Sequence, residues 1–325
     1  MQSFTQLKLA SDLDKITTKL IKSYGLRFDQ NINNLSEPLL RWIDFRLRLI
    51  EPKPRKIVFS NKLPIKNLSV QINTGLVKLE KAIKSGQDIN PYQSKGLIKF
   101  NDTSGKSSTK RTDLLYADWN IHHLHITDKA IVKDEYFSPR DCTNGDGKLL
   151  FCLILDTAVG YIDIKDHSDK DLFSDKSIIE TAIRSWPEYY DKFRINGILP
   201  SGKQFTSSEI SSARNNGVST LLEIDNKTYS SGGLTSASTP DKATLHMNKI
   251  NRWIKVLADL IDNPSGECQT HLKSNCIAKP IFSLAITPKG ICVLEETTNT
   301  AFNFPKTKDN IFEFIFPSWM LNYKT

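Results

Sequence analysis

The sequence predicts an α+β protein, and three features of its apolar pattern support this class. Apolar residues recur at helical spacing through most of residues 1–55. Three strand-like runs lie close together between residues 119 and 166, and a helical pattern follows them. Residues 195–325 combine one long helical pattern with three short strand-like runs. No repeat of fixed period occurs, which disfavours solenoids and propellers.

Length and composition are those of an ordinary globular protein. The chain has 325 residues, of which 39% are hydrophobic and 25% charged, and domains usually span roughly 100–200 residues. We predict a helical N-terminal region at residues 1–99, a candidate catalytic core at 100–192 and an α+β C-terminal region at 193–325. The formal net charge of +8 favours a polyanionic partner such as RNA, DNA or an acidic protein.

The cysteine pattern and the absence of long apolar runs predict a cytoplasmic protein without a membrane partner. The five cysteines are an odd number without CxxC spacing, which disfavours a disulfide framework and a zinc knuckle. The N-terminal segment MQSFTQLKLASDLDKI is amphipathic and carries acids early, unlike a signal peptide. No apolar run approaches the roughly 20 residues that span a bilayer.

The N-terminal region is predicted to hold two helical stretches, a short strand and a further helix. The helical periodicity is carried by Leu9, Leu13, Ile16, Leu20 and Ile21, and then by Leu39, Leu40, Ile43, Leu47 and Ile50. Pro52 and Pro54 cannot continue the second helix, and KIVFS after them has the composition of a strand. A further helix is predicted from Gly75 to Gly86.

The segment at residues 100–113, FNDTSGKSSTKRTD, is polar, basic and without apolar periodicity. It is predicted to be a flexible loop. Two interpretations stay open: a solvated linker, or an arm that contacts phosphates through residues such as Lys110 and Arg111.

The core is predicted to contain three strands and a helix. The strands span Trp119 to Thr127, Leu149 to Asp156 and Val159 to Asp166. The last two are separated by two residues only, which predicts an antiparallel hairpin whose first strand is apolar on both faces and therefore central. Ser174 is a candidate cap for the helix that follows.

The C-terminal region is predicted to be a long helix followed by short strands. The helix runs from about Asp241 to Ile261, with Pro240 at its first turn and Thr239 as a candidate cap. The strands are predicted at Ile281 to Ile286, Ile291 to Glu295 and Ala301 to Phe304.

Four of the six histidines lie between residues 119 and 173, in WNIHHLHI and IDIKDHSDKDLF. Because side chains alternate along a strand, His123 and His125 are predicted to share the face of Trp119 and Ile121, whereas His122 points to the other face. His167, at the end of the last strand, is predicted to join them. Histidine titrates near neutral pH, so this cluster is a candidate site for proton transfer or metal binding.

The segment HLHITDK and, after an insertion, GDGKLLFCLILDTAVGYIDIKDHSDKDLF resemble the core of RelE-type ribosome-dependent mRNA endonucleases, especially the YafQ-like branch. There a histidine strand resembling HVEPD leads into an apolar strand, a turn and a last strand ending in GSHSxLF. The resemblance covers about a sixth of the chain. It implies a four-stranded twisted antiparallel sheet against helices, and RNA cleavage by attack of the 2′-hydroxyl on the adjacent phosphate.

The resemblance also implies roles for individual residues, partners and cofactors. His125 and His167 would be the general base and acid, Asp128 would orient a histidine, and Lys148 or Arg140 would stabilise the phosphorane. His123 would support them, and Phe173, Tyr161 or Trp119 would stack on a base. No cofactor is required. RNA is the expected partner, with the ribosome and an antitoxin protein as candidates, as in a toxin–antitoxin or phage-defence system.

Two alternatives stay open. His123, His125, His167 and an aspartate could hold zinc or manganese in a hydrolase, although no HExxH or HxHxDH motif occurs. The histidine face could instead bind a partner without catalysis. The paired glycines of TYSSGGLTSAS are predicted to form a tight turn, and His246 and His271 to be structural or surface residues.

Overall fold

The computed structural model describes residues 3–28, 37–63, 67–98, 113–131, 139–198, 200–216, 218–233, 241–287, 290–302 and 311–322. The chain divides into two compact units. The histidine unit is Arg48–Lys242, and the terminal unit combines Met1–Leu47 with Ala243–Thr325. These bounds differ from the predicted three regions, because residues 48–99 and 193–242 join the unit that holds the predicted core.

In the described ranges the secondary structure is as follows. The helices are α1 (Phe4–Ser23), α2 (Pro38–Arg48), α3 (Val70–Ser85), α4 (Leu114–Trp119), α5 (Lys176–Ser185), α6 (Pro187–Tyr190), α7 (Ser207–Asn215), α8 (Asp241–Asp262), α9 (Glu267–Ser274) and α10 (Ile311–Ile315). The strands are β1 (Lys56–Phe59), β2 (Ile121–Ile126), β3 (Lys148–Ile154), β4 (Ala158–Asp166), β5 (Leu221–Ile224), β6 (Lys227–Ser230), β7 (Phe282–Thr287), β8 (Gly290–Glu295) and β9 (Thr300–Phe302). The predicted α+β class is confirmed.

The histidine unit is built around a mixed four-stranded sheet in the order β1-β4-β3-β2. The predicted hairpin is confirmed, since β3 and β4 pair antiparallel, and β2 pairs antiparallel with β3. The expectation of a fully antiparallel sheet is wrong for β1, which pairs parallel with β4. A strand that lies about 100 residues before its partner in the chain gives no hairpin signal from which its direction can be predicted.

Both faces of this sheet are covered, which explains why β3 is apolar from Leu149 to Ile154. On the first face, Leu149 and Phe151 of β3 pack with Ile178 and Ala182 of α5. On the second face, the core includes Leu150 and Cys152 of β3, together with Ile72, Leu79 and Ile83 of α3. Because His125 of β2 pairs with Leu149 of β3, His123 and His125 lie on the first face.

The structure corrects several predicted boundaries around the sheet. Trp119 does not begin a strand: it ends α4, whose N-cap is Asp113, and Asn120 with φ 58° separates this helix from β2. The short helix escapes a periodicity test because it spans only 6 residues. Helix α5 is capped by Asp175 rather than Ser174, and α3 begins at Val70 after the Ser69 cap rather than at Gly75.

The terminal unit joins the two ends of the chain. Helix α1 buries Leu9 and Leu13, and the buried carboxylate of Asp12 accepts a hydrogen bond from the Leu284 N–H of β7 (3.3 Å). Strands β7, β8 and β9 form an antiparallel sheet at the three predicted positions. The long helix predicted after Pro240 is confirmed as α8. None of the helices in the described ranges has both the length and the apolar character that crossing a membrane demands.

Candidate functional site

Three of the predicted histidines meet on the first face of the sheet. His123 and His125 project from β2, and their ring centroids are 6.1 Å apart. His167 follows the last residue of β4, where its N–H donates to the Gly147 carbonyl (3.0 Å). This hydrogen bond holds the turn beside β2, so that the rings of His125 and His167 stack with centroids 5.4 Å apart. The predicted convergence of the histidines is therefore present in the structure.

The three imidazoles differ in their exposure to solvent. His125 is only 2% exposed, and its Nδ1 is buried without a hydrogen-bond partner among the described residues. His167 is partly exposed. Burial, followed by the nearby His123, His167 and Arg140, lowers the pKa of His125 to about 3. Burial and then Arg140 also lower the pKa of His167. Both rings are therefore neutral at pH 7.

Asp113 orients His123. Its Oδ2 lies 2.6 Å from Nδ1 of His123, and its Oδ1 accepts the Tyr116 N–H at the start of α4. Burial raises the pKa of Asp113, but His123 and the Tyr116 N–H outweigh that effect, and its pKa falls below the ordinary value. This residue was missed in the sequence. An aspartate before an apolar run signals a helix cap, but the contact with His123 depends on tertiary structure.

Two aspartates that lie near the histidines in sequence have other partners. Asp128, predicted to orient a histidine, accepts the N–H (2.8 Å) and the hydroxyl (2.5 Å) of Thr143. Asp118 forms a buried ion pair with Arg214. The predicted orienting role of Asp128 therefore falls to Asp113, since Asp128 instead closes the turn that precedes β3.

Of the predicted cationic residues, only Arg140 is placed beside the histidines. It is exposed, and its charge lowers the pKa of both His125 and His167. Lys148 alternates with Leu149 and so projects from the opposite face of β3, where it pairs with Asp166 (2.8 Å). Lys110 and Arg111 lie outside the described residues.

The three aromatic residues that were predicted to stack on a base differ in how far they are buried. Phe173, in a short 3₁₀ turn, is partly buried and its ring centroid lies 5.0 Å from that of His123. Trp119 and Tyr161 are 2% and 1% exposed, and both pack in the core. A base cannot stack on a ring whose two faces are covered, so the structure leaves Phe173 as the aromatic candidate.

His122 points away from the cluster, as predicted. Its ring contacts that of Tyr116 (4.6 Å between centroids), and the Nζ of Lys242 lies over the same tyrosine ring (3.3 Å to its centroid). Burial and the nearby Lys242 lower the pKa of His122 to about 3. In the terminal unit, His246 stacks on Phe314 and His271 contacts Thr298, which fits their predicted structural roles.

We compared the chain with protein-family models, curated proteins and solved structures. No match was found in any of the three comparisons. The resemblance to RelE-type endonucleases stays a prediction from the sequence.

The metal-site alternative requires the histidines to converge on one centre together with a carboxylate. Within the ranges that the structure describes, no group of three or more His, Cys, Asp or Glu side chains is arranged to hold a metal ion. The histidines of the cluster stack or meet edge to face. A zinc site needs ligands whose donor atoms point at one centre. The described histidine rings do not show this arrangement.

The buried histidines predict a pH-dependent stability. For His122 and His125 the pKa is about 3 in the folded chain and about 6.5 when unfolded. The unfolded chain therefore takes up more protons between these values, and stability is lost as the pH falls below 6.5. Each of the two histidines should lower the free energy of unfolding by about 2 kcal/mol between pH 7.5 and pH 5. Urea titrations followed by hydrogen exchange of β2 and β3 would measure this loss of stability. The variant His122→Phe should remove about half of it.

Proposed function

We propose that the chain is a metal-independent RNA endonuclease whose active site is the histidine cluster. The observation that carries this proposal is the stacking of His125 and His167 beside Arg140. The two imidazoles come from segments 42 positions apart in the sequence. Two proton-transferring groups and a cation are what cleavage by an internal 2′-hydroxyl requires.

The reaction assigns a proton movement to each histidine. Neutral His167, the more exposed ring, takes the 2′-hydroxyl proton while the 2′-oxygen attacks phosphorus. The bond from phosphorus to the 5′-oxygen breaks, and that oxygen takes a proton from the imidazolium form of His125, which has bound a proton from solvent when the phosphodiester anion binds beside it. The products are a 2′,3′-cyclic phosphate and a 5′-hydroxyl. A bound phosphodiester anion raises the pKa of an imidazole that it contacts, which offsets the effect of burial on His125.

The remaining residues position these groups and the RNA. Arg140 offsets the charge that develops on the phosphorane. Asp113 fixes the ring of His123 through their 2.6 Å contact. Phe173 stacks on a base next to the cleaved bond. In this proposal Lys110 and Arg111, which are close in sequence to Asp113, contact phosphates of the RNA.

The resemblance to RelE-type toxins supports a narrower form of the proposal. In that form the substrate is mRNA on the ribosome, the activity is restrained by an antitoxin protein, and the chain acts in the cytoplasm in a toxin–antitoxin or phage-defence system. The formal net charge of +8 is consistent with a polyanionic substrate.

The proposal is tested with the purified full chain and end-labelled RNA, either free in excess EDTA or on ribosomes in a magnesium buffer. We expect fragments with 2′,3′-cyclic phosphate and 5′-hydroxyl ends. The double variant His125→Ala, His167→Ala should give none, and His271→Ala in the terminal unit is the matched control. Mapping of 5′ ends after a short pulse of expression would identify the sites cut in cells. Cleavage that disappears in EDTA would support the metal hydrolase instead.

A non-catalytic binding role is the second candidate, and the 2% exposure of His125 favours it. A ring so deeply buried reaches a substrate only if neighbouring side chains move. In this case neither free nor ribosome-bound RNA would be cut, and the histidine variants would affect growth as the wild type does.

A further inference from the structure

The outer edge of β1 carries backbone groups that the sheet does not use. The N–H groups of Lys56 and Ser60 donate to β4 and the residue before it (2.9 Å each). By alternation, the N–H and C=O groups of Ile57 and Phe59 point away from β4. No other strand in the described part of the chain pairs with this edge.

An apolar cleft lies beside this edge, on the second face of the sheet. It has a volume of about 170 Å³ and lies between β1 and α3. Its lining includes Phe59, Leu63, Leu68, Leu76 and Val77. Phe59 and Val77 are 52% and 66% exposed. Exposed apolar side chains that adjoin an apolar cleft are typical of a surface that binds another molecule.

Exposed lysines lie on both sides of β1. Lys56 alternates with Ile57 and Phe59, so it projects from the first face of the sheet, opposite the cleft, and Lys62 lies 3.5 Å from the Ser177 carbonyl of α5 on that same face. Lys81 lies on α3 one turn after Val77; all three are exposed. Lys62 lies 3.6 Å from Asp163. Glu80, which lines the cleft, pairs with Lys84 (3.3 Å). The carboxylates of an added strand would alternate with the apolar residues that face the cleft, so they would meet Lys56 and Lys62 on the first face.

We propose that β1 binds an extended, acidic segment of a partner protein as an added strand. Its backbone pairs with Ile57 and Phe59, and an apolar side chain from it enters the cleft between β1 and α3. Strand addition takes its affinity from backbone hydrogen bonds and its specificity from pockets for alternate side chains. The cleft accounts for the apolar residue, and Lys56 and Lys62 account for the acidic residues that alternate with it. The site is independent of the histidine cluster, which lies on the other face.

The test uses the full chain and a short fluorescein-labelled peptide of alternating Glu and Leu. Anisotropy should report binding that weakens with salt. The variant Phe59→Ser, Val77→Gln should weaken it roughly tenfold, which corresponds to loss of one buried apolar contact. The single variant Val77→Gln, at a largely exposed position, should weaken it in the same direction without affecting the fold. Val218→Gln, an exposed valine elsewhere in the histidine unit, is the matched control.

A second probe isolates the backbone pairing. The same peptide with methyl groups on alternate peptide nitrogens keeps its side chains but cannot pair along one edge, and we expect it not to bind. Equal binding of both peptides, equal affinity of the Val77→Gln variant, or failure of the unmodified peptide to bind would overturn the proposal. Concentration-dependent dimers that Phe59→Ser abolishes would also overturn it, since a second copy would then occupy the edge.

Discussion

The variant His167→Ala is expected to cleave RNA about 10²–10⁴ times more slowly than the wild type, the usual contribution of one general acid or base. His167 is more accessible than His125 and is neutral at pH 7, as a base must be. The substitution leaves the backbone hydrogen bond from residue 167 to Gly147 in place. Single-turnover rates on end-labelled RNA would measure the loss.

The same variant should fold as the wild type does. Its side chain is partly exposed and its main ring contact is with His125, so the free energy of unfolding should change by less than about 1 kcal/mol. A pH–rate profile gives a second check, because the limb that reports the base should disappear with His167. An unchanged rate in His167→Ala would rule out its role as the base.

The variant Asp118→Ala is expected to destabilise the histidine unit by about 3–5 kcal/mol, because it removes the carboxylate that forms the ion pair with the buried Arg214, whose remaining acidic neighbour is Asp241. The two side chains form an ion pair between α4 and α7 and are 5% and 6% exposed. Arg214 also donates to the hydroxyls of Ser219 and Ser231 (3.3 Å each). These two neutral hydrogen bonds are too weak to replace the interaction with a carboxylate. Urea denaturation followed by hydrogen exchange of α4 would measure the change.

The double variant Asp118→Leu, Arg214→Met is the control for this prediction. It removes both charges and keeps apolar volume, so it should be less destabilised than Asp118→Ala. A loss of the same size in both variants would mean that packing, rather than the lost ion pair, sets the stability here.

The sequence was sufficient for the parts of the site that depend on one strand or one hairpin. Alternation placed His123 and His125 on one face and His122 on the other, and the hairpin brought His167 to them. The sequence was not sufficient where the residue that contacts a histidine comes from elsewhere in the fold. Asp113 and Asp128 both lie near histidines in sequence, but only the bend at Asn120 directs Asp113 to His123.

The same distinction applies to the fold. The periodicity of α8 and the apolar run of β3 identify a helix and a central strand because each pattern is local. The parallel pairing of β1 with β4 involves residues about 100 positions apart. Helix α1 packs against β7, which lies most of the chain length away in sequence. No local pattern encodes such pairings, and Lys148 could not be assigned to its face before the register of β3 was known.

The division of the chain at Leu47 and Ala243 also fixes an order of events during synthesis. The histidine unit is one continuous segment, so it can fold as soon as residue 242 has left the ribosome. Helices α1 and α2 are synthesised before the histidine unit, yet α1 packs against β7, which is synthesised after it. The residues of α1 that pack against β7 therefore have no β7 to contact until the histidine unit has been synthesised. A chain arrested before β7 would carry a finished histidine cluster and an unfinished terminal unit.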